Sequence, residues 1–79
     1  MENRVNCGYE IVTAIKTGKG TELVIGHNPK APSPYVCWYC YDGTSYSTGD
    51  YCGTYKQALE SVADRIKSNL FFSDFGNID

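Results

Sequence analysis

From Tyr9 the chain alternates, with Tyr9, Ile11, Thr13 and Ile15 on one side of an extended segment and Glu10, Val12, Ala14 and Lys16 on the other. A period of two marks a β-strand, because successive side chains of an extended backbone point to opposite faces. Thr17-Gly18-Lys19-Gly20 supplies two glycines able to take the positive φ of a tight hairpin, and Glu22 to Gly26 reads as the returning strand with Leu23 and Ile25 inward. All three prolines fall in His27 to Pro34, where they remove backbone donors and favour polyproline II, so this is a connecting loop. Tyr35 to Tyr41 is an aromatic strand with Val36, Trp38 and Cys40 on one face and Tyr35, Cys37, Tyr39 and Tyr41 on the other. Asp42-Gly43 is a turn signal, and Ser45 to Cys52 returns as a further strand in which Gly49 and Asp50 imply a bulge or an early bend.

The period then changes. Thr54, followed three residues later by Gln57, forms a capping box, and Tyr55, Ala58, Leu59, Val62, Ala63, Ile66 and Leu70 recur at three- and four-residue spacing. Glu60, Asp64, Arg65 and Lys67 fall between them as the expected solvated face. The pattern predicts an α+β domain: an antiparallel sheet of three to four strands with one C-terminal amphipathic helix packed on one face. The whole chain, 1–79, reads as a single domain, with a loose lead-in over 1–7, a β-meander over 8–52, the helix over 54–70 and an apolar tail over 71–79. Periodicity does not choose which sheet face the helix covers, so one aromatic face is expected to remain for a partner.

Composition narrows the function classes. A chain of 79 residues has a thin core, and seven tyrosines, Trp38 and three phenylalanines supply much of its burial. A net charge of −2 and a pI near 5.2 favour a basic protein surface as partner over nucleic acid or an anionic membrane. No signal-peptide pattern and no apolar run of membrane-spanning length is visible, which points to the cytosol. There the four cysteines are expected as free thiols acting as small hydrophobes.

The chemical motifs are weak. Cys37-Trp38-Tyr39-Cys40 has the spacing of a redox dithiol or half a zinc site, but residues i and i+3 of a strand face opposite ways, and a redox pair needs a helix N-terminus. Cys7, Cys37, Cys40 and Cys52, or a set including His27, have the donor types for tetrahedral zinc, though not the turn spacing of a zinc knuckle. His27 is the sole histidine and would have to serve any Cys-His or Ser-His pair, yet nothing in the spacing supports one. The carboxylates are scattered, and Gly18-Lys19-Gly20 lacks the length of a phosphate-binding loop. No cofactor is expected, and the chain reads as a non-enzymatic interaction module.

Its expected contact residues are Tyr35, Trp38, Tyr39, Tyr41, Tyr46 and Tyr51 with His27 and Lys30 of the adjoining loop, since tyrosine offers large rigid area with a polar tip. A second reading has the same tyrosines stacking bases, helped by Arg4, Lys16, Lys19 and Lys30. A third is a small structural zinc domain. A symmetric homodimer would cover the second aromatic face and the apolar tail.

The run Asn28-Pro29-Lys30-Ala31-Pro32-Ser33-Pro34-Tyr35-Val36 with Trp38, set between a Tyr9-Glu10-Ile11 strand and the C-terminal helix, resembles small uncharacterised proteins and domains carried by phages, plasmids and integrative elements of Firmicutes. The resemblance covers about residues 8–67. In that pattern a threonine often stands where this chain has Cys37. The resemblance implies a mobile-element accessory protein in the bacterial cytoplasm, of a class rich in acidic inhibitors of defence nucleases such as anti-CRISPR and anti-restriction proteins.

Overall fold

A computed structural model describes residues 4–18 and 20–72. It contains β1 (Val5–Asn6), β2 (Tyr9–Gly18), β3 (Thr21–His27), β4 (Tyr35–Tyr41), β5 (Ser45–Cys52) and α1 (Tyr55–Phe72). The strands form one antiparallel sheet in the order β1-β2-β3-β4-β5, with α1 on one face. The α+β architecture is as the pattern predicts, but the sheet has five strands and not three to four. The extra strand lies in the expected lead-in, where Val5 pairs with Glu10 and Asn6 with Tyr9 across a two-residue turn. Cys7 and Gly8 of that turn both take positive φ, 53° and 84°. This is the φ signature of a tight hairpin whose first central residue is commonly Asn or Asp; a cysteine there conceals the turn in the sequence.

The β2–β3 register shifts between Ile11 and Thr13, where Ile11 opposes Gly26 and Thr13 opposes Ile25, so Val12 is an extra residue. A single-residue bulge moves everything beyond it to the other face. Tyr9 and Ile11 therefore pack on the helix-free side while Ile15 packs beneath α1, so the three apolar residues that alternation places together are divided between two cores. A second shift, between Cys37 and Tyr39 against β5, places the bulge anticipated near Gly49, with Thr48 at φ 56°.

α1 begins with the Thr54 half of the expected capping box, while the returning Gln57 side chain reaches Gly53, the residue before the cap, and not Thr54 itself. The Gln57 amide donates to Thr54 Oγ1 at 3.1 Å, and Gln57 Oε1 accepts from the Gly53 amide at 2.9 Å. The buried stripe is narrower than the seven positions of the pattern: Ala58 and Val62 are buried and Ile66 packs beside them, while Leu59 and Ala63 are exposed. Arg65 is not on the solvated face. Its guanidinium lies 4.7 Å from the Tyr39 ring centre, and its Nη2 donates to the Thr48 carbonyl at 2.8 Å. Phe71 and Phe72, assigned to the tail by sequence, continue the helix backbone, and the rest of the tail lies outside the described residues.

Under α1 lie Leu23, Ile25, Cys37 and Cys52 with Ala58 and Val62. Behind the sheet Tyr9, Val24, Val36, Trp38 and Cys40 form a second cluster. That second side is closed by curling of the sheet. Tyr9 of β2 and Tyr51 of β5 have ring centres 6.0 Å apart, although their strands are three positions apart, about 14 Å in a flat sheet. Trp38 sits against both rings, and a Cβ on Gly26 or Gly49 would come within 3.0 Å or 2.9 Å of its indole.

Candidate functional site

β4 places Tyr35, Trp38, Tyr39 and Tyr41 on its two faces, β5 carries Tyr46 and Tyr51, and curling determines which of these rings reach solvent. Trp38, only 4% exposed, is a core residue and not a contact residue. Its face, Val36, Trp38 and Cys40, escapes the helix yet is buried by Tyr9, Ile11, Ala31 and Tyr46. The expectation of an aromatic face left bare is therefore corrected. Tyr46 is half-buried beside Trp38 and beneath Arg4, whose Nε donates to the Tyr46 hydroxyl at 3.3 Å. Tyr51 keeps 53% of its surface exposed over the same cluster. Tyr39 is half-buried under Arg65, and Tyr41 is exposed near the β4–β5 turn, away from the other rings.

The thiols do not converge. Cys37 and Cys52 belong to the cluster beneath α1, Cys40 belongs to the cluster on the opposite face, and Cys7 is exposed in the β1–β2 turn. Cys37-Trp38-Tyr39-Cys40 thus splits its sulfurs across the sheet, and the four-thiolate set cannot form one tetrahedron. Among the described residues no three His, Cys, Asp or Glu side chains come together as metal ligands. Burial pushes the Cys37 thiol above its ordinary pKa, an effect that Arg65 and a Ser61 hydrogen bond oppose and Asp50 reinforces. Burial raises the Cys52 thiol as well, with Asp50 adding to it. Both sulfurs therefore stay protonated at neutral pH, the wrong state for nucleophiles.

The cations are spread out. Arg4 Nη2 donates to Glu22 Oε1 at 3.0 Å and to Cys40 Sγ at 3.2 Å, and the Tyr46 and Glu22 hydrogen bonds raise the Arg4 pKa against burial. Lys16 lies near the β2–β3 turn and Lys30 in the β3–β4 loop at the opposite end of the strands; Lys19 lies outside the described residues. Among the described residues Arg4, Lys16 and Lys30 form no continuous track for a phosphate backbone. A recess of about 340 Å³ opens near the β2–β3 and β4–β5 turns. Among its described lining residues the cations Arg4 and Lys16 are matched by Glu22 and Asp42.

A better surface lies along the flank of α1. The helix packs mainly over β3, β4 and β5, and leaves Thr13, Ile15 and Thr17 of β2 half-buried. Along this margin the rings connect: His27 stacks on Tyr35 at 4.6 Å, Tyr35 meets Tyr55 edge-on at 5.8 Å, and the Tyr55 hydroxyl shares a 2.6 Å hydrogen bond with Thr13 Oγ1. Leu59, one helical turn after Tyr55, is 40% exposed and Tyr55 38%. The result is an ordered apolar shelf, with Lys30 exposed on the loop that leaves its His27 end. Of the residues that the sequence marks as expected contacts, His27 and Tyr35 lie on this shelf and Lys30 beside it, while Tyr55 and Leu59 stand outside that set. Their signal was the width of the helix's apolar set, seven positions where one helix on a small sheet buries a single stripe.

No helix among the described residues is long and apolar enough to cross a membrane. Comparison of the chain with protein-family models, with curated proteins and with solved structures yields no match.

Proposed function

We infer that the chain is a non-catalytic protein-interaction module that contacts its partner through the shelf of His27, Tyr35, Tyr55 and Leu59, extended by Lys30. The observation that carries this reading is the linked ring series, held by ring contacts of 4.6 and 5.8 Å and by the Tyr55–Thr13 hydrogen bond while Tyr55 and Leu59 stay open to solvent. Rigid aromatic area loses little entropy on binding, which is why such residues anchor interfaces. The separated thiols, scattered carboxylates and paired Arg4 weigh against the zinc, catalytic and base-stacking readings. The acidic balance suits a partner with a basic surface. The resemblance to mobile-element proteins of Firmicutes directs the search to bacterial defence nucleases, whose nucleic-acid grooves are basic.

The test is direct binding of the purified chain to CRISPR and restriction nucleases, measured by calorimetry with nuclease inhibition alongside. Leu59→Glu and Tyr55→Ala should weaken binding about ten-fold or more, as interface anchors do, whereas Tyr51→Ala on the opposite face should not. Binding that survives both shelf variants, or that depends on Tyr51 alone, refutes the assignment of the surface. No binding to any nuclease in the panel refutes the partner class.

A further inference from the structure

The row of side chains that carries the ring shelf also carries a carboxylate. Glu10, His27, Tyr35 and Cys52 are successive cross-strand partners from β2 to β5. Directly opposed residues share a face and set their Cβ atoms about 4.5–5.5 Å apart. Tyr35 and Cys52 belong to the cluster beneath α1, so Glu10 stands on the helix side of the sheet beside His27, and it is exposed. His27 stacks on Tyr35, the next residue of the row, which turns the opposite face of its ring towards Glu10. Tyr55 reaches the same corner, since its hydroxyl bonds Thr13, the next residue on this face of β2 past the Val12 bulge.

Elsewhere the chain completes comparable arrangements with its own arginines. Arg4 lies 5.8 Å from the Tyr46 ring centre while its Nη2 donates to Glu22 Oε1 at 3.0 Å, and Arg65 lies 4.7 Å from the Tyr39 ring centre. The face of an aromatic ring is the negative end of its quadrupole, so a guanidinium set over a ring and against a carboxylate is attracted by both. At Glu10 the carboxylate and the rings are present, but no described cation pairs with Glu10 or lies over His27, Tyr35 or Tyr55. Lys30 and Lys56 are exposed, on the β3–β4 loop and on α1.

We propose that Glu10, with His27, Tyr35 and Tyr55, receives an arginine side chain of the partner protein. This rests on the shelf being the interface, and it names the group that enters it. Arginine suits the place better than lysine. A planar guanidinium stacks on a ring while its forked N–H donors meet a carboxylate, whereas an ammonium is a compact, strongly hydrated point charge. Both cations that the chain itself lays over tyrosines are arginines among the described residues. The net negative charge that favours a basic partner thereby acquires a location, at the β2 end of the shelf.

Titration of the isotope-labelled protein with the blocked tripeptide acetyl-Gly-Arg-Gly-amide, followed by NMR, tests the proposal beside peptides with lysine or norleucine in place of arginine. Saturable shifts should gather on Glu10, His27, Tyr35 and Tyr55 with the arginine peptide and be weaker with the other two. Glu10→Gln should loosen the arginine peptide about three-fold, as loss of an exposed ion pair does. Asp42→Asn, which removes the same charge at the far end of β4, should leave its affinity unchanged. Absence of localised shifts up to about 100 mM arginine peptide, the range in which a single side-chain contact saturates, overturns the proposal. An equal response to Glu10→Gln and Asp42→Asn overturns it too, because the attraction would then be to net charge. A lysine or norleucine peptide that binds the same residues as tightly refutes the guanidinium while leaving the shelf an interface. Failure of the shelf itself is read separately, by Leu59→Glu and Tyr55→Ala against the partner.

Discussion

Replacing Gly26 by alanine is the sharpest probe of the helix-free core. A Cβ at Gly26 would stand 2.9 Å from Tyr9 Cβ, 3.0 Å from Trp38 Cζ3 and 3.2 Å from Val36 Cγ1. These distances are about 0.3–0.6 Å inside even the short end of the optimum for carbon pairs. None of the three neighbours moves easily. Tyr9 Cβ is one bond from the backbone, Val36 is β-branched, and Trp38 also abuts Gly49. Overpacking of this kind costs about 1–3 kcal/mol. Alanine recovers about 0.4–1 kcal/mol by restricting the unfolded chain. With three neighbours closer than 3.4 Å the cost belongs in the upper half of that range, so the net loss should be about 1–2.5 kcal/mol, a fall in Tm of about 4–20 °C for a domain of this size. Trp38 is the sole tryptophan and is buried, so its fluorescence reports the transition. In the double variant with Trp38→Phe, which removes the atom at 3.0 Å, part of the penalty should disappear, as read by circular dichroism in a double-mutant cycle. An unchanged or raised Tm for Gly26→Ala refutes the packing argument, because relief of unfolded-state entropy would then be the larger effect.

Two further outcomes follow from local geometry. Thr54→Ala removes the oxygen that accepts from the Gln57 amide and should cost about 1 kcal/mol in urea denaturation; an effect below experimental error would mean that α1 is held by packing alone. The Cys37 and Cys52 thiols are raised by burial, so above about pH 8.5 the unfolded chain releases their protons before the folded one does. Their contribution to stability is fully present below that pH and is lost as pH rises through the folded values. Denaturation midpoints should decline from about pH 8.5 to 9.5, before tyrosine ionises near 10, and Cys37→Ala with Cys52→Ala should flatten the slope; an equal slope in that variant would contradict the assignment.

Much of the fold was legible where one local rule dominates. The Gly18–Gly20 hairpin, the proline loop, the Gly49 bulge and the Thr54 cap each rest on residue chemistry that acts within a few positions. What sequence concealed depends on partners distant in the chain. β1 hides behind a cysteine in a turn position usually held by Asn or Asp, and the Val12 bulge leaves alternation intact in the letters while breaking it in space. Arg65 reads as a surface cation because nothing near it in sequence announces Tyr39 and the Thr48 carbonyl. The candidate surface is partly legible for a similar reason. His27, Tyr35 and Lys30 stand out by residue type and loop position, but the burial of Trp38 depends on the curl that brings Tyr9 to Tyr51, and the exposure of Tyr55 and Leu59 depends on α1 packing mainly over β3, β4 and β5.

The extra residue at Val12 gives β2 a phase. Upstream of it the strand serves one core and downstream of it the other, so the two clusters are joined in a single chain segment by one residue of offset. The identity of that residue matters little, since its side chain is 47% exposed, but its presence does. Removing it would act on the fold as a frameshift acts on a message: every letter on one side would be preserved and every letter would be read on the wrong face. Chains built to this plan are therefore free to vary what stands at position 12 and are bound to keep something there.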